Sequence, residues 1–448
     1  MQPKPSLEVC GNSVVATTRQ LIDCRSFHHQ HRFNDRCFVR KRHLTFNHVM
    51  LFILQKTIRS LQLHLNDFAE QLGVERWVSK GAWTQGRAKL RHTAFIELNQ
   101  RAVVKVVYET KTDFEVRRWC GWRVVAIDGS LLHLPQEEKM GQEFGWAQCS
   151  NQSGPIGCYA QARLSVLYDV LNRIALDARL VNWSIGERRL AAEQLEVVGP
   201  GDLTLSDRGY ASYEWFARHL QRSIQFVCRC ERNSFKAVRK LFEADQAERS
   251  VQVKMEPNRA QAEGIKAAGL PQELTVRLVT LRLPSGELEV LASSLLDEQK
   301  YPTSCFGQLY QERWGVETFF GVLKGRLSLE HFSGRTVEAI RQEVHATVFL
   351  SNLETVVTRP AQQRLRAKDS ERKFPAQINH AVAFHAIKSQ VLDLLTSRKP
   401  VEEVLRQLEA KFLQDPVSVR KNRKGPPRKE PSGWVSYRFQ RYSKKAVF

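Results

Sequence analysis

Four residues of one segment have the types and spacing to handle a phosphate. In YQERWGVETFFGVLK, Tyr310, Arg313, Glu317 and Lys324 stand at offsets of 0, 3, 7 and 14. At about 100° per residue these point to roughly 0°, −60°, −20° and −40°, so a helix would place all four on one face. A carboxylate there, flanked by a guanidinium and an ammonium, can hold a divalent metal while its neighbours bind phosphate oxygens. The same face would equally suit an exposed stripe with an i,i+4 Arg–Glu pair, and charge alone does not separate the two. Trp314, Phe319, Phe320 and Leu323 fall on other faces, where they can pack into a core.

Two further carboxylates occupy telling places. Asp128 ends the β-branched run VVAID and precedes Gly129-Ser130, where a turn is expected. Asp207 ends LTLSD and precedes Arg208-Gly209-Tyr210. An acid at the C-terminal end of a buried strand sits where α/β sheets bind ligands. Asp-Gly and Asp-Arg-Gly are also common turns, so neither acid is decisive alone.

The elements that must position these groups can be read from pattern. WRVVAIDGSLLHL, ARLSVLYDV, RIALDARLV, LTLSD and IQFVCRC read as strands, with helices over 187–198 and SYEWFARHLQ. That β-β-β-α-β-α-β order implies a mixed sheet covered by helices, an α/β fold. Residues 231–300 interrupt it with VQVKM and the hairpin LTVRLVTLRL–PSG–ELEVLASSL, a mostly β insertion. Helices resume near Ser304. Ahead of the sheet, residues 1–35 read as irregular, Thr45 can cap a helix that Gly73 ends, and a second helix follows Thr84.

Charge divides the chain in the same way. Of its 448 residues, 68 are Lys or Arg and 47 are Asp or Glu. Residues 1–118 carry +10 and residues 375–448 carry +9, whereas the 256 residues between carry only +2. Basic ends around a neutral middle suit polyanion-binding arms on a central domain. Two solvated basic faces without a partner are the plainer alternative. No apolar run approaches a bilayer span and no secretory signal is visible, so a cytoplasmic protein without membrane contact is expected. The nine cysteines are odd in number, and none form a C-x-x-C pair. Cys24, His28, His31 and Cys37 are the one cluster that could hold zinc, at a spacing that fits no common finger; reduced thiols are expected instead.

Together, Asp128, Asp207, Glu317 and the Tyr-x2-Arg-x3-Glu-x6-Lys spacing resemble the DDE transposases of the insertion sequence 4 family. The two Asp turns, the β-rich segment before the Glu, and RKRHLTFNHVMLFILQK with SLQLHLNDF add to the resemblance, which covers about residues 24–360. It implies a ribonuclease-H-like mixed sheet with helices, interrupted by a mostly β insertion, plus an N-terminal helical domain and a basic C-terminal arm. The expected boundaries are 1–118 for the DNA-end-binding domain, 119–230 and 301–360 for the two parts of the catalytic core, 231–300 for the insertion and 361–448 for the arm. It also implies cut-and-paste transposition of DNA by two Mg2+ ions (Mn2+ able to substitute). Asp128, Asp207 and Glu317 would be catalytic metal ligands, and Tyr310, Arg313 and Lys324 would contact DNA. The expected partners are the element's terminal inverted repeats, target DNA and a second copy of the chain in a synaptic homodimer at the bacterial nucleoid. Some members stack a flipped base on a tryptophan of the insertion, but residues 216–313 contain none. A metal-dependent nuclease without strand transfer and a non-catalytic DNA-binding descendant remain as alternatives.

Overall fold

A computed structural model describes residues 9–39, 43–56, 60–74, 78–151 and 154–420, with the backbone alone at 149–151 and 154–156. The basic stretch RKNRKGPPRK, expected to be flexible, lies beyond the described residues apart from Arg420. From the N-terminus come α1 (Cys10–Asp23), α2 (Arg25–His31), α3 (Phe46–Leu54), α4 (Leu61–Leu72), α5 (Lys80–Arg87), α6 (Thr93–Leu98) and α7 (Lys105–Glu109). Strand β1 (Arg123–His133), helix α8 (Glu138–Phe144) and strands β2 (Trp146–Asn151), β3 (Gly154–Asp169) and β4 (Ile174–Asn182) follow. Helices and strands then alternate as α9 (Glu187–Gln194), β5 (Asp202–Ser206), α10 (Tyr213–Gln221) and β6 (Gln225–Cys230). Next are α11 (Lys236–Ala244), β7 (Ser250–Met255), α12 (Arg259–Ala267), β8 (Leu274–Arg282) and β9 (Leu288–Ser293). The remainder is helical: α13 (Ser304–Gln311), α14 (Trp314–Gly321), a π-turn at Val322–Arg326, α15 (Val337–Ala367), α16 (His380–Ser389), α17 (Val391–Leu395) and α18 (Val401–Gln414). Short strands β10 (Ala376–Gln377) and β11 (Val417–Ser418) pair with each other.

The chain divides into two compact units. One gathers Met1–Val116, Leu131–Ala162 and Gly321–Phe448; the other gathers Arg117–Ser130 and Arg163–Phe320.

The second unit is a mixed α/β layer structure. Strands β1, β5 and β6 run parallel, in the register Ala126↔Leu205 and Leu205↔Val227. On the β6 side the sheet continues antiparallel through β9, β8 and β7; on the β1 side it continues through β3 and β4. Val124–Ile127 and all of β5 are buried, as expected of strands covered on both faces. Helix α10 covers β5 and β6: Phe216 stacks on Phe226 at 4.6 Å, and His219 hydrogen-bonds the Thr204 hydroxyl at 2.7 Å. Burial holds the His219 imidazole down at about 4, a neutral core histidine. The segment read as mostly β also contains α11 and α12, and its hairpin β8–β9 extends the central sheet through β6. Arg277 of β8, fully buried, donates to Ser250 Oγ and to the carbonyls of Leu295 and Tyr301, fastening the approach to α13.

The first unit is largely helical, and sequence pattern misjudged its start. Residues expected to be irregular form α1 and α2. The β-branched and small polar residues of α1 are poor helix formers, but Val14, Val15, Thr18, Leu21 and Ile22 are buried by packing, which overrides propensity. Arg19 of α1 donates to the carbonyls of Leu394, Lys399 and Asp393, joining the N-terminal helix to α17 and the loop after it. The single helix expected from Thr45 to Gly73 is two, α3 capped by Thr45 and α4 closed by Gly73 at φ 74°. Long α15 runs through this unit, and its fully buried Glu343 binds Lys56 at 2.9 Å and Arg87 at 3.0 Å. No helix among the described residues is long and apolar enough to cross a membrane.

Candidate active site

Strand register brings the first two acids to one level. Asp128 and Asp207 each lie two residues past the paired Ala126 and Leu205, on neighbouring parallel strands about 5 Å apart. Asp207 leaves β5 as expected and caps the following turn, its Oδ1 accepting from the Gly209 amide at 2.9 Å. Asp128 does not end its strand: β1 continues through Gly129-Ser130 to His133, so the expected turn is absent. Its Oδ1 accepts from the Gly129 amide at 2.8 Å. Burial first, then the charges of Asp207 and Glu187, push the Asp128 carboxyl up to about 6, against the Gly129 amide and Arg313.

The helical signature is bent into three pieces. Tyr310 lies on α13, Glu317 on α14 and Lys324 in the π-turn, with Arg313 at the junction between the two helices. Calculated helical phase therefore does not hold along the signature: i→i+3 bonds tighten the junction at Glu312-Arg313, and the π-turn shifts Lys324 again. Tyr310 is buried and its hydroxyl donates to the Ser206 carbonyl at 3.2 Å, docking α13 on the end of β5. Arg313 is buried too; Nη2 donates to Glu317 Oε1 at 2.7 Å, and Nε has no hydrogen-bond partner. Lys324 belongs to the other compact unit, where Nζ donates to the Leu131 carbonyl at 2.6 Å.

Three neighbours of the acids were not singled out from sequence. Glu187, the first residue of α9, lies against Gly129: a Cβ placed on that glycine would stand 3.0 Å from both Cγ and Oε1 of Glu187. Arg163 of β3 binds Glu187 through Oε1. Tyr210, within the Asp-Arg-Gly-Tyr turn, is 3% exposed, and its hydroxyl has no hydrogen-bond partner. Burial first, then the charges of Asp128, Glu187 and Asp207, raise that phenol well above its ordinary range. A glutamate in the first turn of a helix is favoured by the helix dipole anywhere, so sequence offered no signal for Glu187.

The match of residues 119–353 to the transposase DDE domain decides the family. This chain belongs to the DDE-domain transposases. It is 25% identical over 241 residues to InsG, the transposase for insertion sequence element IS4 of Escherichia coli, covering 52% of each protein. It is 24% identical over 276 residues to the putative transposase y4zB of Sinorhizobium fredii, covering 59% of this chain and 70% of that one. The chain thus spans about half the length of InsG. A piggyBac transposase in a synaptic complex with hairpin DNA aligns over 91% of this chain and 87% of that one, at 12% identity and a TM-score of 0.45.

DDE-domain transposases depend in general on a divalent cation, and the donors of this one suit a hard ion. Asp128 and Asp207 offer carboxylate oxygens at one level, with too few hydrogen bonds to neutralise them. Glu317 is engaged by Arg313, and among the described residues no three His, Cys, Asp or Glu groups already converge on one point. The Cys24–Cys37 region offers no such group either: His31 is occupied by Thr93 and Glu97, at 2.8 and 2.9 Å.

Proposed function

We propose that this transposase cleaves DNA at the ends of an insertion sequence and transfers the freed strands into target DNA. Asp128, Asp207 and Glu317 hold the divalent cation, Mg2+ with Mn2+ able to substitute, in the two-ion arrangement expected of such sites. A cation held by these residues would supply Lewis acidity to the attacking water or 3′-hydroxyl and to the leaving oxygen. The observation that carries this reading is the placement of Asp128 and Asp207 at one level on adjacent parallel strands, with Arg313 and Glu317 bound to each other in the same unit.

Each side chain has a physical task in this reading. Arg313 exchanges Glu317 for a phosphate of the strand being cut, which frees the carboxylate as it binds the DNA. Lys324 supplies a second phosphate contact. Tyr310 is committed to the Ser206 carbonyl in the DNA-free chain, so it first serves to seat α13 on β5, with a phosphate as its second partner. The basic residues of segment 1–118 grip the inverted repeats, and two copies act in the synaptic complex at the nucleoid.

The experiment is nicking of a labelled element end in Mg2+ by Asp128→Asn, Asp207→Asn and Glu317→Gln. Each is expected to abolish cutting and to leave end binding nearly intact, because cation binding needs the charge and DNA binding needs the basic surface. A variant that still cuts would remove its residue from the site.

A further inference from the structure

We propose that the loop at 32–39 is a wedge for duplex DNA: Phe33 enters a base step of the element end, and Arg36, Lys89 and Arg91 take phosphates beside it. This rests on the reading of segment 1–118 as the part that grips the inverted repeats, and it assigns that contact to named residues. Three observations carry it, all within the first unit. Phe33 and Val39 are 59% and 65% exposed, the highest values for bulky apolar side chains among the described residues. Phe33 is nevertheless fixed in place. Its amide donates to the Lys89 carbonyl at 2.8 Å, its carbonyl accepts from Arg91 Nη2 at 3.1 Å, and Arg32 and Leu90 form an antiparallel bridge between them. The turn beyond it is closed by the amide of buried Cys37 on the Asn34 carbonyl at 3.0 Å. Finally, the loop carries surplus positive charge. Asp35 is engaged by Arg32 at 2.7 Å and His29 at 3.2 Å, whereas exposed Arg36, Lys89 and Arg91 have no acid partner among the described residues.

Chemistry selects the occupant. An aromatic ring held in water beside unpaired cations suits a ligand with an apolar interior and a polyanionic rim. Duplex DNA is such a ligand: stacked bases lie between two rows of phosphates. An inserted Phe unstacks a base step and kinks the duplex, while Lys and Arg on either side neutralise phosphates and release their counterions. The Arg91 guanidinium lies 5.8 Å from the Phe33 ring and spends one nitrogen on the Phe33 carbonyl, which leaves its other donors for a phosphate. The backbone bonds that fix Phe33 limit the ordering entropy lost when it inserts.

The test uses the full chain and duplexes of the element's terminal inverted repeat, with 2-aminopurine placed at successive positions to report unstacking. Fluorescence should rise at one step in the wild-type complex. Phe33→Ala should remove that rise and weaken end binding about tenfold, in line with the loss of one stacked aromatic. Phe33→Leu, still an apolar wedge, should keep a rise at the same step. A triple variant, Arg36→Gln with Lys89→Gln and Arg91→Gln, should weaken binding to element and unrelated duplexes alike and flatten the salt dependence by about three phosphate contacts. All these side chains are exposed, so melting temperatures should stay within about 2 °C of wild type. Wild-type affinity and fluorescence in Phe33→Ala, with the triple variant still defective, would overturn the wedge and leave segment 1–118 as the gripping part. Wild-type DNA binding by the triple variant as well would overturn both. A change in self-association of Phe33→Ala without a change on DNA would give the ring to a second copy of the chain and overturn the wedge.

Discussion

Arg313 Nη2 donates to Glu317 Oε1 at 2.7 Å, so the guanidinium and the carboxylate of the helical signature neutralise each other. Arg313 is 9% exposed at the side chain and its guanidinium also lies 4.7 Å from the Trp314 ring. Burial works against its charge, but the neighbouring Tyr310, Glu317 and Asp128 raise its pKa overall. In the proposed exchange it gives up one carboxylate for a phosphodiester, which carries the same single charge and can accept both arms of the guanidinium fork.

Arg313→Gln should therefore lose at least tenfold in nicking of an element end, about 1.4 kcal/mol at the transition state. Unlike a surface change it should also lower the melting temperature, because packing against Tyr310 and Trp314 is lost with the charge. Lys324→Gln alters a half-exposed side chain and should stay within about 0.5 kcal/mol in stability, with a smaller loss of nicking. Wild-type turnover in both variants would return the signature to an ordinary ion-paired face.

The Asp128 carboxyl makes stability fall as pH rises. Its folded value is pushed up to about 6 from an ordinary 3.8, mainly by burial, so the folded state holds its proton more tightly than the unfolded state. Its charge is then a burden that grows as pH climbs through the window from about 4 to 6 and persists above it. In chelator, Asp128→Asn should melt higher than the wild-type chain at pH 7.5, and the gap should close towards pH 4. Parallel melting curves of the two proteins across this range would show that Asp128 carries no such burden.

Glu343 obeys the opposite sign. Its burial alone would raise its pKa, but Lys56, Arg87 and the Ser333 hydroxyl hold it down at about 2. Its contribution is present above about 4.5 and is lost as pH falls through about 2. Glu343→Gln leaves two buried cations without their counter-ion, which costs about 3–5 kcal/mol. Melting should drop by more than 5 °C at neutral pH, and a drop under 2 °C would mean that the cations find water or other partners.

Residues 1–118 should not fold by themselves. Arg19 is satisfied by carbonyls at 393–399, and Lys56 and Arg87 meet Glu343, all far along the chain. The fragment should lack a cooperative melting transition, whereas the full chain should bind element ends with an affinity that falls steeply with salt. A sharp transition in the isolated fragment would show that the first unit is separable.

The sequence alone settled what depends on local pattern and residue chemistry. The β-branched runs, the alternation of helices and strands, the Asp207 turn and the caps at Thr45 and Gly73 all arise from neighbours a few residues apart, so a one-dimensional reading reaches them. The family was legible for a related reason: the identities and spacing of Asp128, Asp207 and Glu317 with their Tyr, Arg and Lys companions are themselves one-dimensional. Tertiary structure decided the rest, where packing or long-range pairing outweighs local preference. Helix α1 forms from poor helix formers because its face is buried, and Asp128 sits inside β1 because strand pairing extends through an Asp-Gly that would otherwise turn. The π-turn that holds Lys324 broke a helical phase computed from an ideal repeat. Parallel register set Asp128 beside Asp207, and the space at Gly129 set Glu187 against β1; both depend on strands and helices dozens of residues apart, whose contacts no spacing along the chain encodes.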